Sequence, residues 1–172
     1  TYTTRDGLSN DIVFAFHEDA EGTLWIATDS GLNRLQRGKL SSFTTSDGLY
    51  DNKVFQILED QTRNLWMSSN KGIFRASRAD LSRRAAGLAG TIESVGFGKA
   101  DGMKANQCNG SSQPAGCRAA DGRLFFPTVR GLVVVDPVRL KTNALAPPVT
   151  IERLLVDGSE VEISKPVTIA PG

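Results

Sequence analysis

The stretch EGTLWIATDSGLNRL at positions 21–35 returns, with substitutions, as RNLWMSSNKGIFRA at positions 63–76. The tryptophans Trp25 and Trp66 are 41 residues apart, and a glycine six residues after each keeps the same spacing. A repeat of about 40 to 50 residues made of short strands is typical of a β-propeller rather than a helical solenoid. The sequence therefore predicts an array of propeller blades.

A third, more divergent copy follows as GRLFFPTVRGLVVV at positions 122–135. Phe125 stands where the tryptophans stood, and Gly131 keeps the place of the repeated glycine. The spacing is longer than in the first two copies by 13 residues between Gly72 and Gly102, and by five more between Gly102 and Phe125. These differences locate two insertions.

Each copy is interpreted as four short antiparallel strands. VFAFHE (13–18) and VFQILE (54–59) are nearly continuous apolar runs, as expected of an innermost strand covered on both faces. Such a sheet buries its faces only against neighbouring sheets, so the blades should stack around an axis. We expect Trp25, Trp66 and Phe125 to pack between blades, because a large aromatic side chain suits such a seam.

The C-terminal region predicts a second domain. Pro147-Pro148 indicates a stiff linker, and the predicted strands 149–156 and 159–163 flank Asp157-Gly158, a strong two-residue hairpin signal. A single hairpin is not a domain, so it should begin a β-sandwich. The predicted boundaries are blades over 1–146 (repeats 2–42, 43–96 and 97–146) and the start of a sandwich over 147–172.

The repeated motifs carry a family resemblance. DGLSNDIVFAFHEDAEGTLWIATDSGLNRL, from Asp6, and its second copy resemble the two-component regulator propeller repeat. The third copy resembles the closing blade of such propellers, and APPVTIERLLVDGSEVEI, from Ala146, resembles the opening hairpin of the Ig-like sandwich that follows in the family. The resemblance implies an all-β partial propeller from the sensory region of a bacterial hybrid histidine kinase or related receptor. It also implies a periplasmic or extracellular location, with the remaining blades and the sandwich domain of the full-length receptor as partners.

Composition excludes several function classes. A formal net charge of +1 provides no strong field for nucleic acid or anionic lipid, so no nucleic-acid partner is expected. Leu132–Val135 is far too short an apolar run for a membrane span. Three blades cannot close a ring, since propellers need about four to eight, so a free-standing chain should self-associate through its end faces.

The sequence contains no motif that indicates catalysis. His17 is the only histidine, and no compact cluster of metal-ligating residues accompanies it, so we predict no metal site, no catalytic residue and no cofactor. Carboxylates are plentiful, however, and a pair facing one cleft would suffice for a glycosidase or lyase. The alternative to a sensor module is therefore a propeller-fold carbohydrate-active enzyme.

A candidate ligand surface follows from the meander, because alternate connections emerge at the same end of a blade. Propellers often bind ligands at a loop-bearing entrance. Amide and guanidinium groups there could bind sugar hydroxyls or uronic carboxylates, although ordinary solvation is the simpler interpretation of each one. The candidate ligand-binding residues are Arg5, Asn10, Asp29, Asn52, Asn70, Lys71, Asn106 and Arg130.

Two insertions carry further predictions. Cys108 and Cys117 either close a small loop by a disulfide in an oxidising compartment or remain as two buried or semi-buried thiols. SRADLSRRAAGLAG (77–90) is interpreted as a short helix that Asp80 caps and Gly87 ends. Its basic residues are expected on a solvated outer face, with a partner-docking surface as the alternative.

Overall fold

Short antiparallel strands make up most of the computed structural model, which describes residues 1–88, 90–110, 113–140, 153–156 and 159–161. The chain divides into two compact units, Thr1–Leu140 and Lys141–Gly172. The first unit contains three antiparallel sheets, which we call blades 1, 2 and 3 in chain order. The predicted all-β propeller-like architecture is confirmed.

Blade 1 is a four-stranded meander whose strands pair in sequence order. Its strands are β1 (Val13–Glu18), β2 (Leu24–Thr28), β3 (Gly31–Gln36) and β4 (Lys39–Phe43). Two-residue loops join β2 to β3 and β3 to β4, with Thr28 opposite Gly31 and Gln36 opposite Lys39. In the second loop Arg37 and Gly38 both have positive φ, as the tightest hairpins require.

Blade 2 repeats this meander and adds a helix before its last strand. Its elements are β5 (Gln56–Glu59), β6 (Asn64–Ser68), β7 (Ile73–Ser77), α1 (Arg78–Ala85) and β8 (Ser94–Phe97). The helix accounts for the insertion that the lengthened repeat spacing located. The longest connection of blade 2 therefore lies between β7 and β8, its third and fourth strands.

Helix α1 differs from the prediction in its N-cap residue and in the burial of its first basic side chain. Its N-cap is Ser77, whose hydroxyl accepts a hydrogen bond from the Asp80 backbone N–H at 3.4 Å, so the prediction of Asp80 as the cap is wrong. The first basic residue, Arg78, is 5% exposed and does not lie on a solvated face. Arg83 and Arg84 are exposed as expected, although Arg84 also donates to Asp47 at 2.7 Å.

Blade 3 has three strands among the described residues, in the order β11-β10-β9. They are β9 (Cys117–Arg118), β10 (Leu124–Thr128) and β11 (Gly131–Val135). The prediction of four strands therefore holds for blades 1 and 2, while the described part of blade 3 ends in a turn after β11. Within the described residues β11 pairs only with β10, whereas β3 and β7 each pair with a strand on both sides.

A short 3-10 turn precedes each blade, and each turn ends at a glycine in the left-handed conformation. The turns are Thr4–Asp6, Thr45–Asp47 and Lys99–Asp101. In each, the aspartate side chain accepts a hydrogen bond from the backbone N–H three residues earlier, as in Thr44 N to Asp47 Oδ2 at 3.0 Å. The conserved geometry explains why Asp-Gly recurs at the start of every repeat.

Two apolar clusters fill the seams between the blades. Trp25 is fully buried in the first cluster, together with Leu65 and Met67 of blade 2. Trp66 is fully buried in the second, together with Leu124 and Phe126 of blade 3. The two tryptophans therefore each face the blade that follows in the chain.

Phe125 lies on the opposite face of β10 from Leu124 and Phe126, because successive side chains of a strand alternate between faces. Its neighbours on either side are both fully buried against blade 2, whereas Phe125 is only half-buried. The face that carries Phe125 corresponds to the face that carries the tryptophans in blades 1 and 2. Within the described residues no further blade covers it.

The cysteines are free thiols in this structure, Cys108 buried and Cys117 exposed, which corresponds to the unbonded one of the two alternatives. Cys117 pairs with Phe125 and Cys108 forms a bridge with Thr128, three residues further along β10. Three residues of a strand span about 10 Å, well beyond the roughly 4.4 to 6.8 Å between Cα atoms that a disulfide requires. Burial raises the pKa of the Cys108 thiol to about 11.

The second unit contains one described hairpin. β12 (Leu154–Val156) pairs antiparallel with β13 (Ser159–Val161), which agrees with the hairpin that the sequence predicts around Asp157-Gly158. That dipeptide, the Pro147-Pro148 linker and the predicted boundary at 146–147 lie outside the described residues. The sandwich to which this hairpin would belong stays a prediction.

Candidate functional site

The loops that the sequence predicts as a ligand surface do gather at one end of the blades. In blade 1 the Asn10 side chain donates to Ser30 Oγ at 3.0 Å, which joins the segment after the 3-10 turn to the β2–β3 loop. In blade 3 the Val129 N–H donates to the Gln107 carbonyl at 3.2 Å, as the Asp29 N–H does to the Ile12 carbonyl at 3.1 Å in blade 1. We call this surface, formed by the 3-10 turns and the β2–β3, β6–β7 and β10–β11 loops, the loop rim.

Two of the candidate ligand residues support the 3-10 turns. Asn52 Oδ1 accepts from Thr45 N at 2.7 Å, and Asn106 Oδ1 accepts from Lys99 N at 2.8 Å. In blade 1 Asp11 does the same for Thr4, so the repeat counterpart of these asparagines is Asp11 rather than the predicted Asn10. The carbonyl ends of Asn52 and Asn106 are therefore committed to the fold, and only their NH₂ groups remain for a ligand.

Two other candidates form ion pairs on the rim. Asp29 of blade 1 lies 2.6 Å from Lys53 Nζ of blade 2, and this pair crosses the seam between the blades. Lys71 Nζ lies 3.4 Å from Asp51 within blade 2. A ligand that used either candidate would first have to compete with a protein partner.

Arg5, Asn70 and Arg130 are exposed, and their side chains have no partner among the described residues. Arg130 occupies the repeat position of Ser30 and Lys71, whose partners are Asn10 and Asp51. The blade 3 residue at the repeat position of Asn10 and Asp51 is an alanine, which offers the Arg130 guanidinium group no such partner. Of the eight predicted residues, these three have wholly unpaired side chains among the described residues, whereas Asn52 and Asn106 have only their NH₂ groups available.

The opposite end of the blades holds a polar network that sequence reasoning missed. Asp19, in the β1–β2 turn, accepts from the Trp25 indole Nε1 at 3.0 Å, and Asp60 accepts from Trp66 Nε1 at 2.7 Å in blade 2. We call each such pair an aspartate–tryptophan lock. The sequence did contain the signal, because both aspartates precede their tryptophans by six residues.

The first lock is joined to helix α1 by Arg78. Arg78 Nη1 lies 2.9 Å from Asp19 Oδ2 and 3.4 Å from Glu59, while Nη2 donates to Glu21 at 2.7 Å. Glu59 in turn contacts His17 Nε2 at 3.1 Å. The arginine therefore links the β1–β2 turn of blade 1 to β5 of blade 2.

The locks hold their carboxyl groups in the charged form. Burial raises the pKa of both Asp19 and Asp60, but the indole hydrogen bonds and the bonds from nearby backbone N–H groups outweigh it. The pKa of each carboxyl group consequently lies below its usual value. For Asp19 the charge of Arg78 acts in the same direction.

The described part of the chain contains neither a metal-binding cluster nor a membrane-spanning helix. No group of three or more His, Cys, Asp and Glu side chains there is arranged to hold a metal ion. No helix within the same described ranges is long and apolar enough to cross a membrane.

Comparison with known proteins shows what the first blade is similar to. Residues 7–30 match the family model described as two component regulator propeller. This segment carries a two component regulator propeller repeat. It runs from the glycine that ends the first 3-10 turn to the β2–β3 loop, so it contains both members of the Asp19–Trp25 lock. No curated protein matches the sequence.

Three solved structures with a similar fold are extracellular domains from B. thetaiotaomicron. That of the hybrid two component system BT3049 superposes with a TM-score of 0.69 over 95% of this chain, at 17% identity. Two structures of the BT4673 extracellular domain, one described as a one component and one as a hybrid two component system, give TM-scores of 0.60 over 76% of this chain at 21% and 24% identity. The chain spans 22% of the first protein's length and 18% of the other two, so the likeness concerns the fold of a part of each.

Proposed function

We propose that this chain is part of the extracytoplasmic sensor region of a bacterial two-component-type receptor, and that its loop rim contributes to binding an oligosaccharide. The observation that supports a sensor role is the match of residues 7–30 to the regulator propeller repeat, on a fold similar to the extracellular domains of such systems. The segment binds rather than catalyses in this proposal. The output domain would lie elsewhere in the receptor.

Ligand contact is assigned first to the rim side chains that the fold leaves free. Arg5, Asn70 and Arg130 are exposed and unpaired among the described residues, and they provide the hydrogen-bond donors that sugar hydroxyls and uronic carboxylates accept. The NH₂ groups of Asn52 and Asn106 could add donors from the 3-10 turns. Asp29 and Lys71 would contribute only after exchange of their ion-pair partners.

A glycan array probed with the complete extracytoplasmic region of the receptor tests this proposal. We expect saturable binding to a defined set of oligosaccharides, with a loss of at least about tenfold in affinity for Arg130→Ala, since hydrogen bonds to charged groups contribute about 1.5 to 3 kcal/mol each. Arg83→Ala is the matched control, because Arg83 is also an exposed arginine but lies on helix α1, outside the rim. Its affinity should equal that of the unmodified protein.

The same experiment separates binding from catalysis. Mass spectrometry of each bound glycan after prolonged incubation should show an unchanged mass. A shortened or unsaturated product would support the carbohydrate-active enzyme alternative instead. Absence of binding to every glycan, or equal effects of Arg130→Ala and Arg83→Ala, would contradict the assignment of the rim.

A further inference from the structure

The rim ends of the two seams between blades share one backbone contact. At the seam between blades 1 and 2 the Val54 N–H donates to the Thr28 carbonyl at 3.1 Å. At the seam between blades 2 and 3 the Cys108 N–H donates to the Ser69 carbonyl at 3.0 Å. Thr28 and Ser69 each lie three residues after the tryptophan of their blade, so they are repeat equivalents. The two hydrogen bonds therefore hold the adjoining residues of both seams in the same arrangement.

The residues that adjoin this contact form an ion pair at the first seam. Asp29 follows Thr28 and Lys53 precedes Val54. Lys53 Nζ lies 2.6 Å from the Asp29 carboxylate, and the two side chains are 35% and 30% exposed. The first seam thus satisfies its own polar side chains at the rim.

The equivalent residues of the second seam are two uncharged amides, Asn70 and Gln107. Both residues are exposed, and neither side chain has a partner within the described residues. A glutamine side chain ends one bond short of the lysine Nζ, and no charge attracts it across the seam. The second seam consequently presents two amide groups to solvent where the first presents a closed ion pair.

A pair of amides suits uncharged hydroxyl groups better than a carboxylate. Each amide offers two N–H donors and one acceptor oxygen, and a hydroxyl group both donates and accepts. A carboxylate only accepts, so it would leave the amide oxygens facing its negative charge. The chemistry of the pair therefore favours adjacent hydroxyls of a neutral sugar.

The charged side chains beside the pair are consistent with this preference. Lys71 Nζ lies 3.4 Å from Asp51, which compensates its charge. The Val129 N–H donates to the Gln107 carbonyl at 3.2 Å, and Arg130 follows Val129 in the chain. The Arg130 guanidinium group thus provides further donors next to the amides, and a sugar hydroxyl can accept from it.

We propose that Asn70 and Gln107 form a subsite for adjacent hydroxyls of an uncharged sugar unit, at the rim end of the seam between blades 2 and 3. This inference rests on the proposed function, because it assigns a sugar class and a further residue to the same rim. Gln107 is not among the candidates predicted from the sequence. The observation that carries the inference is that one backbone position holds an ion pair at one seam and two amides without partners in the described residues at the next.

Replacing the amides with the side chains of the first seam tests the subsite. In the complete extracytoplasmic region of the receptor, Asn70→Asp combined with Gln107→Lys keeps the net charge and should form the ion pair that Asp29 and Lys53 make. We expect the affinity for the neutral oligosaccharides of a glycan array to fall at least about tenfold. Asn70→Ala combined with Gln107→Ala removes only exposed groups and should cause the same loss, so the test does not depend on the folding of the charged variant.

Gln61→Ala is the matched control. Gln61 is an exposed glutamine at the opposite end of the same seam, where its Nε2 would lie 2.8 Å from a Cβ built on Gly122. This variant should bind every glycan within about twofold of the unmodified protein.

The outcomes separate the subsite from the proposed function. Equal affinity of the alanine double variant and the unmodified protein for neutral glycans would overturn the subsite and leave a role of the rim in binding intact. Binding confined to glycans that carry carboxylates would overturn the assigned sugar class in the same way. Absence of binding to every glycan would contradict the proposed function itself, and the subsite with it.

Discussion

Blades 1 and 2 keep an aspartate–tryptophan lock, and blade 3 has lost both of its members. The backbone of the turn is nevertheless the same, since Gly22, Arg63 and Gly122 each donate to the carbonyl of the residue three positions earlier. In blade 3 that residue is Ala119, and the aromatic six positions later is Phe125. The turn therefore persists when the side-chain hydrogen bond does not.

The joint replacement follows from the energetics of a buried donor. A fully buried indole N–H without an acceptor costs about 1 to 3 kcal/mol, whereas removal of both partners leaves no unsatisfied group. Phenylalanine carries no N–H, so a blade with Phe125 needs no aspartate at position 119. This difference teaches that the polar pair, rather than the tryptophan alone, is the unit that the first two blades share.

The largest effect should come from Arg78→Ala, which tests whether the seam between blades 1 and 2 depends on buried charge. The Arg78 side chain is 6% exposed and lies within 3.4 Å of both Asp19 and Glu59. Removing it would leave these two carboxylates without the arginine's positive charge, and we expect the free energy of unfolding to fall by about 3 to 5 kcal/mol in denaturant titrations. Arg83→Ala, at a 68% exposed side chain, should cost less than about 1 kcal/mol, and equal losses would contradict the account.

Acid should destabilise the locked blades. Because the folded-state pKa values of Asp19 and Asp60 lie below their usual value of about 3.9, their contribution is present above that pH and is lost as pH falls through the folded pKa values. We expect the free energy of unfolding to decline below about pH 4. Asp60→Asn should be less stable at pH 6 but decline less steeply, and parallel pH profiles would argue against the lock.

A smaller effect is expected at the turn position that differs between the two locked blades. Gly22 has φ +72° with open space around its Cα, and Arg63 takes φ 62° at the same position of blade 2. Gly22→Ala should lower the free energy of unfolding by about 1 kcal/mol, since it introduces a side chain in the left-handed region. Arg63→Ala, which leaves that strain in place, should change it by less than about 0.5 kcal/mol, and a larger loss there would show that the exposed Arg63–Glu21 ion pair matters.

Much of the fold could be predicted from the sequence because the repeated residues require particular local backbone conformations. The Asp-Gly pairs specify the 3-10 turns, and Gly31 and Gly72 stand where the next strand's backbone approaches closely. The alternating strands and both buried tryptophans follow from the same spacing. Such local conformational requirements can be recognised in a single sequence.

What could not be predicted depends on contacts between distant parts of the chain. Arg78 is buried because carboxylates of two blades surround it, which no local pattern around SRADLSRR reveals. On the loop rim, Asn52 and Asn106 resembled free ligand donors but support the turns seven residues earlier. The separation of the two cysteines depends on the different residues of β10 with which each one pairs, which no local sequence pattern predicts.

A double-mutant cycle between Asp60 and Trp66 tests the central claim most directly. Free energies of unfolding would be measured for Asp60→Ala, Trp66→Phe and the double variant, with a second cycle that combines Asp60→Ala with Trp25→Phe as the control. We predict a coupling energy of at least about 1 kcal/mol in the first cycle, because Trp66→Phe removes the donor that Asp60 satisfies, and additivity within about 0.5 kcal/mol in the second. Additive losses in the Asp60–Trp66 cycle would contradict the lock as the shared unit of the two blades.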